Sequence, residues 1–311
     1  MASKTSTLNK LSEQLAELVT TLSPSVVGVR QGRRRSSGTV WSESEVVVAD
    51  HALRGEDNIA VVTADGVSRP AVVVGRDATL DLALLAVDGG GLSPAPRHEG
   101  ALTVGNLAVV LGRPGESARA TLGMISVVGG AWTAPSGGRL EQYLEVDASL
   151  PSGFSGGPLV SATGGVVGVN TAGLVRGGTT VPVGTVHASV DRLREGGSVK
   201  RGYLGVGVQP VVIPASLREA AGQAAGALVT SLEEGGPGEA AGITLGDTLL
   251  SVDGEATEGV RDLLIALSAL GGREVSVRLL RGGVVTEVSV TLGERARRAG
   301  RRRGYGRRRC G

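Results

Sequence analysis

Cysteine is almost missing from this chain: Cys310 is the only one in 311 residues. No disulfide can form within the molecule, so packing and hydrogen bonds alone must hold the fold. Aromatic side chains make up 2% of the sequence, with a single phenylalanine. The cores must therefore be built from Val, Leu, Ala and Ile. No stretch approaches the roughly 20 apolar residues that cross a bilayer as a helix. The first thirty residues hold no unbroken apolar run of signal-peptide length. The expectation is a soluble, cytoplasmic protein. A periplasmic or otherwise extracytoplasmic one is the alternative, because an exported chain without its leader reads the same way.

Glycine, by contrast, is abundant at 51 residues, and short Val-rich runs broken by Gly and Pro recur along the chain. That pattern predicts a mainly β protein with many turns. The net charge of +2 conceals an asymmetry. Residues 294–311 carry nine Arg and one Glu, so this +8 tail leaves −6 on residues 1–293. The tail has no apolar stripe to bury and is expected to be disordered. Its sharper reading is a tether to polyanions. A nucleic-acid or membrane-surface binder led by the tail would explain residues 295–309 and nothing else.

Spacing of Leu8, Leu11, Leu15 and Leu22 predicts an amphipathic helix over 8–22. Strands are expected at 26–29, 46–49, 59–62, 71–74, 82–87, 107–111, 143–146 and 166–169, with Arg33, Arg34 and Arg35 in a surface loop. Regularly spaced short strands suggest a sandwich or barrel. A short helix at 188–195 closes this first domain, placed at 24–196 after an N-terminal helical segment, 1–23. A polar linker, 197–201, leads to a second domain at 202–293. There strands are expected at 205–208, 227–231, 248–252, 275–280 and 284–292, with helices at 238–241 and 260–270. The disordered tail, 294–311, follows.

The most informative stretch is Gly153-Phe154-Ser155-Gly156-Gly157-Pro158. Flanking glycines permit a turn that exposes the serine hydroxyl and aims successive N–H groups at one spot. Acyl transfer needs such a spot for the oxyanion of its tetrahedral intermediate, and Gly153 and Ser155 are the candidate donors. A serine also needs a base. Of His51, His98 and His187, only His51 ends an apolar strand, where a side chain is well anchored. Asp81, at the mouth of the strand DLALL, is the candidate acid. Asp77 lies four residues earlier in a polar loop. Asp50 neighbours His51 in what reads as strand, so its side chain points to the other face. The order His51, Asp81, Ser155 is that of chymotrypsin.

Three segments carry a family resemblance: VVVADHAL around His51, GRDATLDLALLAV around Asp81, and DASLPSGFSGGPLVSATGGVVGVNT around Ser155. They resemble the HtrA/Deg-type (high-temperature-requirement) serine proteases. RGYLGVGVQP and GALVTSLEEGGPGEAAGITLGDTLLSVDG resemble that family's PDZ domain. The resemblance implies a chymotrypsin-like double β-barrel followed by a PDZ domain, a small β-barrel with two helices. It implies a serine endopeptidase with a His-Asp-Ser triad that cleaves unfolded or misfolded proteins and needs no metal or cofactor. It further implies homo-oligomers. The first forty residues lack the aromatics this family often uses to trimerise, so the trimer stays open. Phe154 replaces the usual Asn before the serine.

By likeness to the chymotrypsin fold, Ser149, six residues before the nucleophile, floors the primary pocket, with Val169 and Asn170 in its wall. That implies an apolar residue before the scissile bond. Tyr203, Leu204, Gly205 and Val206 resemble the loop that cradles a C-terminal carboxylate, with Val260, Leu264 and Leu267 on the facing helix. The competing reading is a catalytically weak protease-like scaffold that binds peptides through its PDZ domain.

Overall fold

The computed structural model describes residues 7–199, 202–268 and 270–294. Residues 295–311 of the expected disordered tail, Cys310 included, lie outside the described residues, whereas Glu294 is in a strand, paired with Gly202. Helix α1 (Thr7–Leu22) precedes a closed barrel of six strands: β1 (Val26–Gln31), β2 (Arg34–Ser42), β3 (Glu45–Ala49), β4 (Ile59–Val62), β5 (Ser68–Asp77) and β6 (Leu82–Val87). They pair in the order β1-β2-β3-β6-β5-β4. The apolar runs here are unbroken because both faces are covered. Val46, Val48, Ala83 and Leu85 fill the barrel, while Val47, Leu82 and Leu84 face a second cluster shared with Val186, Val190 and Leu193.

The next strands are β7 (Leu107–Gly112), β8 (Arg119–Val128), β9 (Trp132–Thr133), β10 (Arg139–Leu140), β11 (Leu144–Val146), β12 (Pro158–Ser161), β13 (Val166–Thr171) and β14 (Thr179–Pro182). Six of them form a sheet ordered β11-β8-β7-β12-β13-β14, with β9 and β10 a separate two-stranded ribbon. The sheet curls until its edge strands β11 and β14 lie against each other. Helix α2 (Val183–Gly196) closes this half. Leu15, Leu18, Val19 and Leu22 seat α1 on Val109, Leu111, Val160 and Val166.

The second unit comprises β15 (Gly202–Tyr203), β16 (Val206–Val212), α3 (Arg218–Ala221), β17 (Ala225–Leu232), α4 (Pro237–Ala240), β18 (Thr248–Val252), β19 (Glu255–Ala256), α5 (Val260–Ala266), β20 (Glu274–Arg281), β21 (Val284–Thr291) and β22 (Gly293–Glu294). Its five-stranded path runs β16-β17-β18-β20-β21 around its own core.

Several expectations change. Arg34 and Arg35 open a strand rather than lying in a loop, because Arg34 to Thr39 pair with β1 across a turn at Gly32-Arg33. Strands β8, β12 and β14 lie outside the expected strands; β8 runs continuously through Gly123 and exposes Leu122 and Met124. The closing helix starts five residues early, at Val183. Helix α5 stops at Ala266, and Leu267 points into the core instead of the groove. Gly205 has φ +74° and precedes its strand. In the linker, Ser198 and Val199 bond the Arg76 backbone and so extend the barrel edge.

Candidate active site

Strands β3 and β6 are paired, Ala49 with Leu82, so the segments holding His51 and Asp81 leave the barrel side by side. Asp50 and His51 sit on a one-turn 3₁₀ helix, Asp50–Ala52, not on a strand. Asp50 therefore turns to Arg76, 2.6 Å away, which replaces the strand-face argument for excluding it. Asp81 has φ +54°, the left-handed region that Asp tolerates better than most residues. The bend brings its carbonyl to the Asp50 N–H at 3.0 Å and its Oδ1 to the His51 N–H at 2.8 Å. Its Oδ2 lies 2.6 Å from His51 Nδ1. A carboxylate there accepts Nδ1–H, which leaves Nε2 as the basic nitrogen. Thr171 Oγ1 also donates to Oδ2 and accepts the Gly173 N–H at 2.9 Å. A Cβ on Gly173 would overlap the Asp81 carboxylate.

The other acids and bases go elsewhere. Asp77, expected in a polar loop, ends β5 fully buried; its carboxylate binds Thr79, the Leu80 N–H, Ser189 and Arg192. Among the described residues His98 Nε2 is buried with no hydrogen-bond partner, and His187 pairs with Asp191 on α2 at 3.5 Å.

Ser155 lies on the turn before β12. Its Oγ accepts the Ala172 N–H at 3.2 Å, and no described hydrogen bond joins it to the His51 ring. Unliganded sites often hold such bonds long and tighten them on substrate. Gly153 has φ +86°. Among the described residues, neither the Gly153 nor the Ser155 N–H has an acceptor. Sequence reading missed what braces this turn. The buried Ser37 hydroxyl donates to the Gly153 carbonyl at 2.6 Å and accepts the Arg113 N–H at 2.8 Å. The Ser37 N–H reaches the Ser155 carbonyl at 3.3 Å. Arg113 is buried, which pushes its guanidinium below its ordinary pKa, and it bonds the backbone of Ser23 and Val26. Phe154 is 2% exposed and packs in the second barrel; a Cβ on Gly112 would stand 2.7 Å from its ring.

The expected pocket residues divide. Asn170 lines a cavity of about 320 Å³ together with Ala148, Leu150, Val110, Thr180 and Gly178. Ser149 is exposed and does not line it: neighbours in an extended segment alternate, and Ala148 and Leu150 face inward. Val169 points to the core beside Val181 and Val186. In the second unit, Leu204 is buried, and the Leu204 and Gly205 N–H groups have no acceptor among the described residues. Tyr203 pairs with Gly293, and Val206 opens β16.

A carboxylate-oriented imidazole, and a serine turn with two N–H groups that have no acceptor among the described residues, are parts that acyl transfer uses. The comparisons with known proteins concern the domains. The family model described as a trypsin-like peptidase domain matches residues 36–169, and that of the PDZ domain residues 202–292. A probable periplasmic serine endoprotease, DegP-like, of Rhizobium meliloti (strain 1021) is 34% identical over 276 residues, covering 84% of this chain and 54% of that protein. The chain has the HtrA arrangement, a trypsin-like peptidase domain followed by a single PDZ domain. A second relative of the same name, from Halomonas elongata, is 31% identical over 87% of this chain and 59% of its own length. The chain thus spans a little over half the length of these curated relatives. Among solved structures, the serine endoprotease from Yersinia pestis superposes with a TM-score of 0.68 at 26% identity, covering 90% of this chain and 98% of that one. The HtrA-type protease AlgW with a decapeptide gives 0.66 at 25% identity, covering 91% and 99%. The chymotrypsin-like barrels and the PDZ domain are therefore those of HtrA proteases.

Proposed function

We propose that this DegP-like chain is a serine endopeptidase of protein quality control, cleaving unfolded or misfolded proteins. Ser155 Oγ attacks the peptide carbonyl, and His51 Nε2 takes its proton. The Gly153 and Ser155 N–H groups hold the oxyanion. His51 returns the proton to the departing amine, and water repeats the cycle on the acyl-enzyme. Asp81 keeps the proton of His51 on Nδ1 and stabilises the imidazolium. The observation that carries this reading is the 2.6 Å Nδ1–carboxylate bond beside a serine turn whose two N–H groups are unpaired. A small apolar side chain before the scissile bond is part of this reading; Val110, Ala148 and Leu150 line the cavity beside Asn170, together with the charged Glu145 and Arg176.

The PDZ unit is read as capturing C-termini, with the Leu204 and Gly205 N–H groups on the carboxylate and the peptide adding a strand to β16. Homo-oligomers and a polyanion contact through the Arg tail remain part of the proposal. Among the described residues no helix is long and apolar enough to cross a membrane. The periplasmic names of the relatives favour the extracytoplasmic alternative for the compartment.

One experiment tests the core of this. The chain should degrade casein and take a fluorophosphonate label on Ser155, and Ser155→Ala should abolish both. Casein cleavage that survives Ser155→Ala removes Ser155 as nucleophile. Peptide binding without any cleavage by the wild type favours the scaffold reading.

A further inference from the structure

The β1–β2 hairpin carries a cluster of arginines, of which Arg34 already reaches the backbone of His51. Arg33 lies in its exposed turn, Arg34 and Arg35 open β2 exposed, and Arg30 sits half-buried directly across from Arg35. Like charges facing across a ladder oppose pairing. Among the described residues no ion pair engages Arg30, Arg33, Arg35 or the nearby Arg54. The acids on neighbouring segments are Asp50, next to the His51 carbonyl that Arg34 reaches and paired with Arg76, Glu56 and Asp57, in the loop that Gln31 clasps through the Arg54 and Asp57 carbonyls, and Glu116 beyond Arg113. This cationic cluster stands on a body whose residues 1–293 sum to −6.

Its position bears on the scissile bond. The Arg34 guanidinium reaches the His51 carbonyl at 3.4 Å. The Arg35 carbonyl lies 3.5 Å from where a Cβ of Gly153 would stand. The two-residue turn makes Gln31 and Arg34 a hydrogen-bonded pair, so bonded and non-bonded pairs alternate from there. Arg35 and Ser37 are both of the non-bonded kind and direct their N–H and C=O away from β1. Ser37 shows where that edge leads, since its N–H goes to the Ser155 carbonyl. The Arg35 backbone therefore offers an open strand edge beside the oxyanion turn. The Asn170–Gly173 stretch and its cavity form the other flank of Ser155, through the Gly156 N–H on the Asn170 carbonyl and the Ala172 N–H on Ser155 Oγ. With the acyl half of a substrate on that flank, the departing half runs along Arg35.

We propose that Arg33, Arg34 and Arg35 form a subsite for acidic side chains on the leaving-group side of the scissile bond. The departing segment pairs with the Arg35 edge as an added strand, and its alternate side chains meet the guanidinium groups. This subsite rests on the peptidase reading of Ser155. It makes acidic stretches of unfolded protein the favoured substrates, in contrast to a cleft selecting only on the acyl side.

The test uses two quenched peptides, identical up to the scissile bond and carrying Glu-Glu or Lys-Lys at the second and third positions after it. The full-length chain should cleave the Glu peptide with a kcat/KM about three- to tenfold higher, as expected for two exposed ion pairs. The ratio should shrink toward one at about 0.5 M salt. Arg34→Glu with Arg35→Glu should invert the preference. Arg33→Glu, in the exposed turn and outside the ladder, should narrow it by about twofold even if the double reversal does not fold. The same peptides are titrated against Ser155→Ala by fluorescence anisotropy. Absent cleavage with retained preference for the Glu peptide would remove the peptidase reading but keep the subsite. Equal cleavage and equal binding of both peptides, or a Glu preference untouched by Arg33→Glu and by the double reversal, would overturn it.

Discussion

The two halves of the cleft are built on different principles. His51 and Asp81 come from adjacent paired strands of the closed barrel, and every polar atom between them is used: Asp81 alone accepts from two N–H groups, the imidazole and Thr171. The Ser155 turn keeps two N–H groups unpaired and takes its shape from borrowed contacts, Ser37 from the other barrel and Phe154 sunk into its own. The first half orients through saturation. On the proposed mechanism the second must stay unsatisfied, because a donor already paired cannot receive an oxyanion. The comparison predicts that damage to the first half acts through the proton, and damage to the second through the shape of the turn.

The sharpest break is Asp81→Asn. The amide cannot hold the proton on Nδ1 of His51, and the imidazole presents the wrong tautomer to Ser155. Steady-state cleavage of a peptide substrate should show a kcat lower by about 10⁴-fold, with KM little changed. A loss below tenfold would separate Asp81 from the acid–base work and leave the first half as mere scaffolding.

A milder break falls on the other half. Gly112→Ala places a methyl 2.7 Å from the Phe154 ring. Overpacking of this kind costs about 1–3 kcal/mol, visible as a lower midpoint in denaturant. The displaced ring drags the residue next to it in sequence, Ser155, so kcat should fall by about 10²-fold, the scale of losing one oxyanion donor. Adding Phe154→Leu should recover much of both losses. If stability falls while kcat does not, the ring is core filling and nothing more.

These two halves were also unequally legible in the sequence. His51, Asp81 and Ser155 stood out because a polar residue at the mouth of an apolar strand, or between glycines, breaks a local pattern. The braces did not. Ser37 sits in a polar run, RRRSSG, that reads as a loop, and only its pairing with β1 buries it. Gly112 and Phe154 are forty-two positions apart, and no spacing rule joins them. Ser149, reached by counting from the serine, lies off the lining of the cavity that Ala148 and Leu150 share, since one position of alternation decides which side chain faces it. Among the strands missed, β8 exposes apolar residues and so loses the period-two signal, whereas β12 and β14 are short and almost wholly buried. The charge of the RRR triplet was plain in the sequence, but its place beside His51 required the hairpin register.

The smallest effect tests the residue that joins the halves. Thr171 ends β13 with its hydroxyl on Asp81 Oδ2, and the next residue, Ala172, gives its N–H to Ser155 Oγ. One strand end thus touches both the carboxylate and the nucleophile. Thr171→Val keeps the shape but removes the donor to Asp81 and the acceptor for the Gly173 N–H. The site is fully buried, so no water replaces either bond. A hydrogen bond to a charged group contributes about 1.5–3 kcal/mol, and part of that loss should appear as stability. The remainder should lower kcat by about tenfold at nearly constant KM, because Asp81 keeps its bonds to His51 and only its rotation loosens. Thr171→Ser retains the hydroxyl and should restore kcat even if stability stays slightly reduced. A Thr171→Val variant as active as the wild type would mean that the His51 N–H and ring suffice to fix Asp81, and that the two halves are positioned independently.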